Sequence, residues 1–221
     1  MIISTGSRSF DNLLGGGIRS GMVTDFIGRS GTGKSQLCFT VCVNSAKQLS
    51  HGEFILFIDT TGTFRPERIQ EISNCSGEND VLSKISYIRV YNSYEQNLAL
   101  FKATKRSPKL IIIDNVSSLI SNEFSGARKH LHMMKHVHSL GLIAITLDCT
   151  VIVTNMLMYA SNEGELLERE ALASSISSCV HVRVKLERTN STRPIYKASL
   201  VHPSSSRSCL FDVRKIGITN A

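Results

Sequence analysis

Gly28-Arg29-Ser30-Gly31-Thr32-Gly33-Lys34-Ser35 fits G-x-x-x-x-G-K-[ST], and its flanks decide how it is read. The apolar run Met22-Val23-Thr24-Asp25-Phe26-Ile27 precedes it at strand length, and a helical pattern follows from Gly33 to about Gln48. Glycines let a backbone wrap closely, so that N–H groups point inward at phosphate oxygens, and the helix adds its positive N-terminal end. In that reading Gly28, Arg29, Ser30, Gly31, Thr32, Gly33, Lys34 and Ser35 all bind a nucleotide. Lys34 reaches the β- and γ-phosphates, and the Ser35 hydroxyl takes Mg2+. The competing reading is a Gly-rich strand-to-helix turn with no ligand, and the strand–loop–helix context favours the phosphate loop.

A phosphate loop needs a second group to hold the metal. Leu110-Ile111-Ile112-Ile113-Asp114 is an apolar strand with an acid at its carboxyl end, where ligands bind in open α/β sheets. Asp114 is therefore the expected Mg2+ partner of Ser35. Further strand-like runs, Phe54 to Asp59, Ile85 to Tyr91 and Thr150 to Asn155, alternate with helical stretches, one of them starting at Pro66. That alternation indicates crossover units and a parallel sheet. Val180 to Leu186, Ile195 to Val201 and Cys209 to Val213 follow one another with only turns between them, suggesting an antiparallel extension. The expected fold is one α/β domain over 1–221, a P-loop core with a mostly parallel sheet, flanking helices and antiparallel strands at the C-terminal end.

Composition bounds the partners. Across 221 residues, 42% are hydrophobic and 19% charged, enough for a sizeable core and too apolar for wholesale disorder. Trp is absent and aromatics are 6%, which argues against a large stacking platform for single strands. Twenty-five Lys and Arg against 18 Asp and Glu give +7, unevenly spread. Residues 1–101 are neutral, 102–138 carry +5, 139–180 carry −4 and 181–221 carry +6. No basic region with a long apolar run opens the chain, and the longest apolar runs are strand-sized. The six cysteines contain no Cys-x-x-Cys pair, so the expected setting is a reducing, intracellular compartment, the cytoplasm.

Several segments resemble a known family. Ile3-Ser4-Thr5-Gly6-Ser7-Arg8-Ser9-Phe10-Asp11-Asn12-Leu13-Leu14-Gly15-Gly16-Gly17-Ile18 looks like the entry to the RecA-type core of archaeal and eukaryotic recombinases. Ile58-Asp59-Thr60-Thr61-Gly62-Thr63-Phe64-Arg65-Pro66-Glu67-Arg68-Ile69 is closer still to the corresponding RadA segment. Lys129-His130-Leu131-His132 and Val151-Ile152-Val153-Thr154-Asn155 match as well. KaiC-like signalling ATPases share the entry segment, but the Phe64 to Arg68 stretch favours the recombinase branch. The sequence starts almost directly at the core, so the expectation is a core-only layout without an N-terminal DNA-binding domain, similar to the archaeal RadB-like members of the RecA/RadA family. The resemblance implies ATP and Mg2+ as ligands and an accessory or mediator role in homologous recombination and DNA repair. It also implies DNA, single-stranded, as a partner, together with the main recombinase or other repair proteins, and a homo-oligomer.

The sequence departs from that family in three places. The family's catalytic Glu falls at Thr61, and a hydroxyl cannot serve as a carboxylate base at neutral pH. ATP binding is thus expected with weak or absent hydrolysis, unless another acid such as Glu67 substitutes. Met156 stands where the family's Gln senses the γ-phosphate, and a thioether has only weak acceptor capacity. The span from Tyr159 to Glu170, matching the second DNA loop, holds Glu163, Glu165, Glu168 and Glu170, which would repel phosphates. It reads as a helical, solvated acidic face or a surface for a basic protein. A second reading of the whole chain follows: an ATP-stabilised interaction module that docks a partner recombinase without touching DNA.

Other residues carry two readings each. Arg68 matches the family arginine that stacks on the adenine ring, or is a surface arginine of a helix. Lys102, Lys105, Arg106 and Lys109 are a solvated face or phosphate contacts. Arg128, Lys129 and Lys135 lie where the family places its first DNA loop and adjoining helix, and are the preferred DNA contacts. His130, His132, His136 and His138 read as surface or core histidines rather than metal ligands, since no Cys or carboxylate nearby completes a set. Arg183 and Lys185 alternate with Val182, Val184 and Leu186, as on a strand with one wet face. Arg188, Arg193, Lys197, Arg207, Arg214 and Lys215 extend that basic end, and His202-Pro203 matches weakly the family loop that caps a neighbour's nucleotide.

Overall fold

Ile55-Leu56-Phe57-Ile58 and Leu110-Ile111-Ile112-Ile113 lack any polar alternation, so a strand made of either must be covered on both faces. In the computed structural model of the chain they are. Ile55, Phe57, Leu110 and Ile112 point into one apolar cluster with Phe26, Leu37 and Phe39. Leu56, Ile58, Ile111 and Ile113 point into a second with Val153, Met133 and Leu140. The structure describes residues 1–77, 80–162, 165–170, 172–189 and 194–221, with 158–162 and 165–170 as backbone only.

In chain order the elements are β1 Ile2–Ile3, α1 Arg8–Leu13, β2 Ile18–Arg19, β3 Val23–Gly28, α2 Lys34–Ala46, β4 Ile55–Asp59 and α3 Pro66–Cys75. Then come β5 Ile85–Arg89, α4 Ser93–Thr104, β6 Leu110–Asp114, α5 Ser118–Glu123, α6 Gly126–Thr146, β7 Thr150–Asn162 and β8 Glu165–Glu170. The chain ends with α7 Ala173–Ser177, β9 Val182–Arg188, β10 Ile195–His202, β11 Ser208–Arg214 and β12 Gly217–Asn220. The main sheet runs β12-β11-β10-β9-β3-β7-β6-β4-β5. From β9 to β5 neighbouring strands are parallel, and β10, β11 and β12 add an antiparallel meander. The α/β core with antiparallel C-terminal strands expected from the sequence is what forms. Among the described residues no helix is long and apolar enough to cross a membrane.

Register positions the site. Gly28 is opposite Met156 on β7 and Leu186 on β9, and Asp59 is opposite Asp114. The carboxyl ends of β3, β4, β6 and the sheet-bound part of β7 therefore open onto one edge. Cys38, Cys42 and Cys149 are buried free thiols, as small hydrophobes should be.

Two expectations need correction. The span from Tyr159 to Glu170 is not helical: β7 runs on past the sheet and pairs antiparallel with β8, from Leu157 opposite Glu170 to Asn162 opposite Glu165. Only Glu163-Gly164 separates the paired strands, a two-residue spacing ending in Gly that signals a hairpin rather than a helix. Glu163 and Arg193 lie outside the described residues, as do the side chains of Glu165, Glu168 and Glu170. Arg183 does not face water either. Its strand β9 is interior, between β3 and β10, and its Nη2 lies 2.9 Å from the carboxylate of fully buried Asp25. Alternation along a strand separates its two faces but does not say that one of them is wet.

Candidate functional site

The phosphate loop is built as its residue types require. At Gly28 an added Cβ would lie 2.5 Å from the Leu186 carbonyl oxygen and 2.6 Å from Thr32 Oγ1, so only glycine fits. Gly31 and Gly33 have φ of +77° and +91°, left-handed values that favour glycine. Gly33 caps α2 with no side-chain hydrogen bond, leaving the helix's first N–H groups to the loop. Lys34 Nζ donates to the carbonyls of Gly28 (2.7 Å) and Arg29 (2.8 Å), which fixes the ammonium across the loop mouth. Burial pushes the Lys34 pKa below the usual lysine range, and the charge of Asp114 opposes that shift.

Asp114 is the hub of the site. The Ser35 hydroxyl donates to its Oδ2 at 2.6 Å, Thr63 Oγ1 donates to the same oxygen at 3.2 Å, and Thr154 Oγ1 donates to Oδ1. These groups open into a cleft of about 310 Å3 bordered by Lys34, Ser35, Thr61, Thr63, Met156 and Tyr196, among others. Its donor set of one carboxylate and several hydroxyls is all hard oxygen, the chemistry that suits Mg2+ rather than a softer ion. The glycine cradle, the ammonium and this oxygen set fit a nucleoside triphosphate with its metal.

The turn after β4 faces the loop across the cleft. Thr61 is exposed there, its Oγ1 3.1 Å from Thr63 Oγ1, and neither can act as a carboxylate base. Glu67 does not stand in for one: it faces a separate surface hollow with Gln70, Glu71, Asn74, Cys75 and Lys215. Beneath the turn is Asp59, fully buried, which no motif in the sequence singles out as a site residue. Burial pushes its carboxyl up, but the N–H groups of Phe64, Thr61, Gly62 and Thr63 outweigh that and hold it below the usual range. A signal for it was nonetheless present, since Asp59 ends an apolar strand just as Asp114 does.

Other expected residues fall at varying distances. Arg68 spans three elements, donating to Gln36 on α2 (2.8 Å), to Glu71, and to the Lys215 (2.9 Å) and Arg214 carbonyls between β11 and β12. Its edge donors are engaged with protein, its side chain is mostly buried, and it does not border the cleft of the phosphate loop. Arg128 and Lys135 are exposed and Lys129 half-buried on α6, none bordering the cleft. Within the earlier basic run, Lys109 pairs with Glu53 at 3.3 Å and Arg106 lies 4.6 Å over the Phe54 ring. At the C-terminal end, Lys185 pairs with Glu187 and Arg214 with Asp212. His136 is buried against Gln96 and Asn97, His132 stacks on Phe124, and His130 meets Ser175. His202 pairs with Arg183 in register, and Pro203 borders a hollow with Leu13 and Met22, at the end of the sheet opposite the phosphate loop. Tyr196 reaches the cleft from β10 with no signal in the sequence to announce it.

A parallel sheet with a glycine phosphate loop after β3 and an acid ending β6 defines a RecA-type P-loop core. A family model described as Rad51 matches residues 1–221, and the chain belongs to that family. It is 31% identical to the DNA repair and recombination protein RadB of Archaeoglobus fulgidus, over 99% of this chain and 98% of that protein. It is 38% identical to the DNA repair and recombination protein RadA of Ignicoccus hospitalis, over 71% of this chain and 53% of that one. To the DNA repair protein RAD51 of Saccharomyces cerevisiae it is 36% identical, over 73% of this chain and 44% of that one. The chain thus spans about half the length of the RadA and RAD51 relatives it matches.

Proposed function

We propose that this chain is an ATP-binding, RadB-like member of the Rad51 family that acts as an accessory in homologous recombination and DNA repair, with weak or absent ATP hydrolysis. Residues 1–221 act as one nucleotide-binding core. Gly28 to Ser35 cradle the phosphates, Arg68 takes the adenine by resemblance to the family arginine, and Ser35 with Asp114 would hold Mg2+. When bound, the metal neutralises charge on the phosphate oxygens. The observation that carries the reading is the phosphate loop itself: a Gly28 that excludes any side chain, left-handed Gly31 and Gly33, and Lys34 locked across the mouth.

Weak hydrolysis rests on Thr61, a hydroxyl in the cleft at the position of the family's carboxylate. Of the two carboxylates nearby, Asp59 is taken up by backbone N–H groups and Asp114 by the hydroxyls of Ser35, Thr63 and Thr154. Glu67 faces elsewhere. Uncoupling of nucleotide state from DNA rests on Met156, a thioether at the register position opposite Gly28. Single-stranded DNA is taken through Arg128, Lys129 and Lys135, and the protein partner is the main recombinase or another repair protein, with self-association as a homo-oligomer, in the cytoplasm at the nucleoid. Titration of a fluorescent ATP analogue against the parent and Lys34→Ala tests the reading. Loss of binding in the variant is expected; undiminished affinity overturns the phosphate-site assignment.

A further inference from the structure

Four successive N–H groups close on the one carboxylate that ends β4. Asp59 Oδ1 accepts from Thr61 (2.9 Å), Gly62 (2.7 Å) and Thr63 (3.3 Å), and Oδ2 accepts from Phe64 (3.1 Å). Arg89 Nη1 grips the same residue at its carbonyl (3.0 Å) and at Oδ1 (3.2 Å), and the Tyr87 hydroxyl donates to Oδ2 at 3.3 Å. Gly62, at φ +78°, lets the chain turn tightly enough for all four donors to point inward. The near end of the turn is tied to β6 as well: Thr60 N donates to the Asp114 carbonyl (2.9 Å), and Thr60 Oγ1 donates to the Asn115 carbonyl (2.7 Å). With its backbone N–H groups turned inward to Asp59, the turn borders the cleft with Thr61 and Thr63. Of the two hydroxyls, Thr63 Oγ1 reaches Asp114 Oδ2 at 3.2 Å, the oxygen that Ser35 also holds.

We propose that Asp59 is a positioning residue of the nucleotide site and that the Thr63 hydroxyl is the group it positions. The knot around Asp59 sets the turn, the turn sets Thr63, and Thr63 with Ser35 and Thr154 fixes the orientation of the Asp114 carboxylate before Mg2+ arrives. The inference rests on the ATP–Mg2+ reading above. A carboxylate held in its binding orientation loses less rotamer freedom when it takes the metal, so the contribution of Thr63 is specific to metal-dependent affinity. A knot that served only the fold would not distinguish ATP with metal from ATP without it.

The test uses the full chain and a fluorescent ATP analogue, titrated once with Mg2+ and once in EDTA. Thr63→Val keeps the branched shape and removes the hydroxyl. It is expected to weaken Mg2+-dependent binding by about 3- to 10-fold, the value of a single hydrogen bond, with no change in EDTA. Thr63→Ser restores the parent value. Asp59→Asn gives a metal-specific loss of the same kind, and combining it with Thr63→Val costs no more than the larger single change, as expected of two groups acting as one unit. Arg89→Gln loosens the knot without touching its N–H contacts and gives a smaller loss of the same sign, which carries the test of Asp59 if Asp59→Asn does not fold. Equal affinities in parent and Thr63→Val, or equal losses with and without Mg2+, overturn the proposal. If Lys34→Ala loses ATP while the Thr63 and Arg89 variants behave as the parent, this inference falls and the ATP reading stands. If Lys34→Ala binds ATP normally, the reading beneath it falls.

Discussion

The loop after β3 and the turn after β4 face each other across one cleft, and they differ in what they have kept. The phosphate loop holds everything its chemistry requires: glycines where no side chain fits, an ammonium across the mouth, and a hydroxyl on Asp114. The turn is just as firmly built, with four N–H groups and an arginine on Asp59, yet its tip carries Thr61, whose hydroxyl cannot act as a carboxylate base. Holding a backbone in position and doing chemistry at its tip are separate properties. A chain can lose the second while the hydrogen bonds that enforce the first persist.

The most severe way to break this comparison is Lys34→Ala. It removes two charge-assisted contacts within the loop and the cation that faces the phosphates, and should lower ATP affinity at least about 100-fold. A titration showing parent-like affinity would mean that the loop, too, is only scaffold. Thr61→Glu sharpens the other side. With the turn already organised, a carboxylate at its tip should raise ATP turnover by about 100-fold in a steady-state phosphate-release assay, the low end of what a positioned general base contributes. No gain with binding intact would mean that Met156 or another part of the site limits the chemistry as well.

Acid offers a subtler separation of scaffold from site. Burial pushes the His136 pKa from 6.5 down to about 4. The unfolded chain therefore takes up the proton first, so stability is fully present above about pH 6.5 and is lost as pH falls toward 4. From pH 7 to 5 that amounts to about 2 kcal/mol, readable in urea melts and flattened in His136→Gln. The Asp59 carboxyl, held below its usual range, stays ionised over the same window, so nucleotide affinity measured on folded protein should not follow the melt. The smallest effect concerns α6. Replacing Arg128 and Lys135 with Gln should make the dependence of log affinity on log salt for single-stranded DNA shallower by about 1.4, since each phosphate neutralised on a single strand contributes roughly 0.7 to the slope. An unchanged slope would move the DNA contact elsewhere or favour the interaction-module reading.

Much of the scaffold was legible because burial on both faces leaves a sequence mark. Ile55 to Ile58 and Leu110 to Ile113 read as strands without any partner being known, and Asp114 stood out as an acid ending one of them. The short pieces were not legible. β12 spans four residues, Gly217–Asn220, too few for a pattern. β8 was hidden because Glu165 and Glu168 made its charge more conspicuous than the Glu163-Gly164 spacing before it. Arg183 misled for a different reason. Its partner Asp25 is 158 positions away, and nothing local distinguishes a buried cation from a solvated one. Asp59 carried the same mark as Asp114, yet what it binds is backbone N–H, which no side-chain motif records. Arg68 is singled out by resemblance alone, while its contacts to the Arg214 and Lys215 carbonyls come from a meander that only the folded sheet brings near.

The central claim, a site built to bind ATP with little capacity to hydrolyse it, is tested most directly by measuring ATP binding and turnover on the same preparation, with and without single-stranded DNA. The account predicts saturable, Mg2+-dependent binding that Lys34→Ala abolishes, with turnover near the protein-free baseline under both conditions. Sustained hydrolysis that DNA stimulates and Lys34→Ala removes would contradict it, because Thr61 would then be no obstacle to the chemistry.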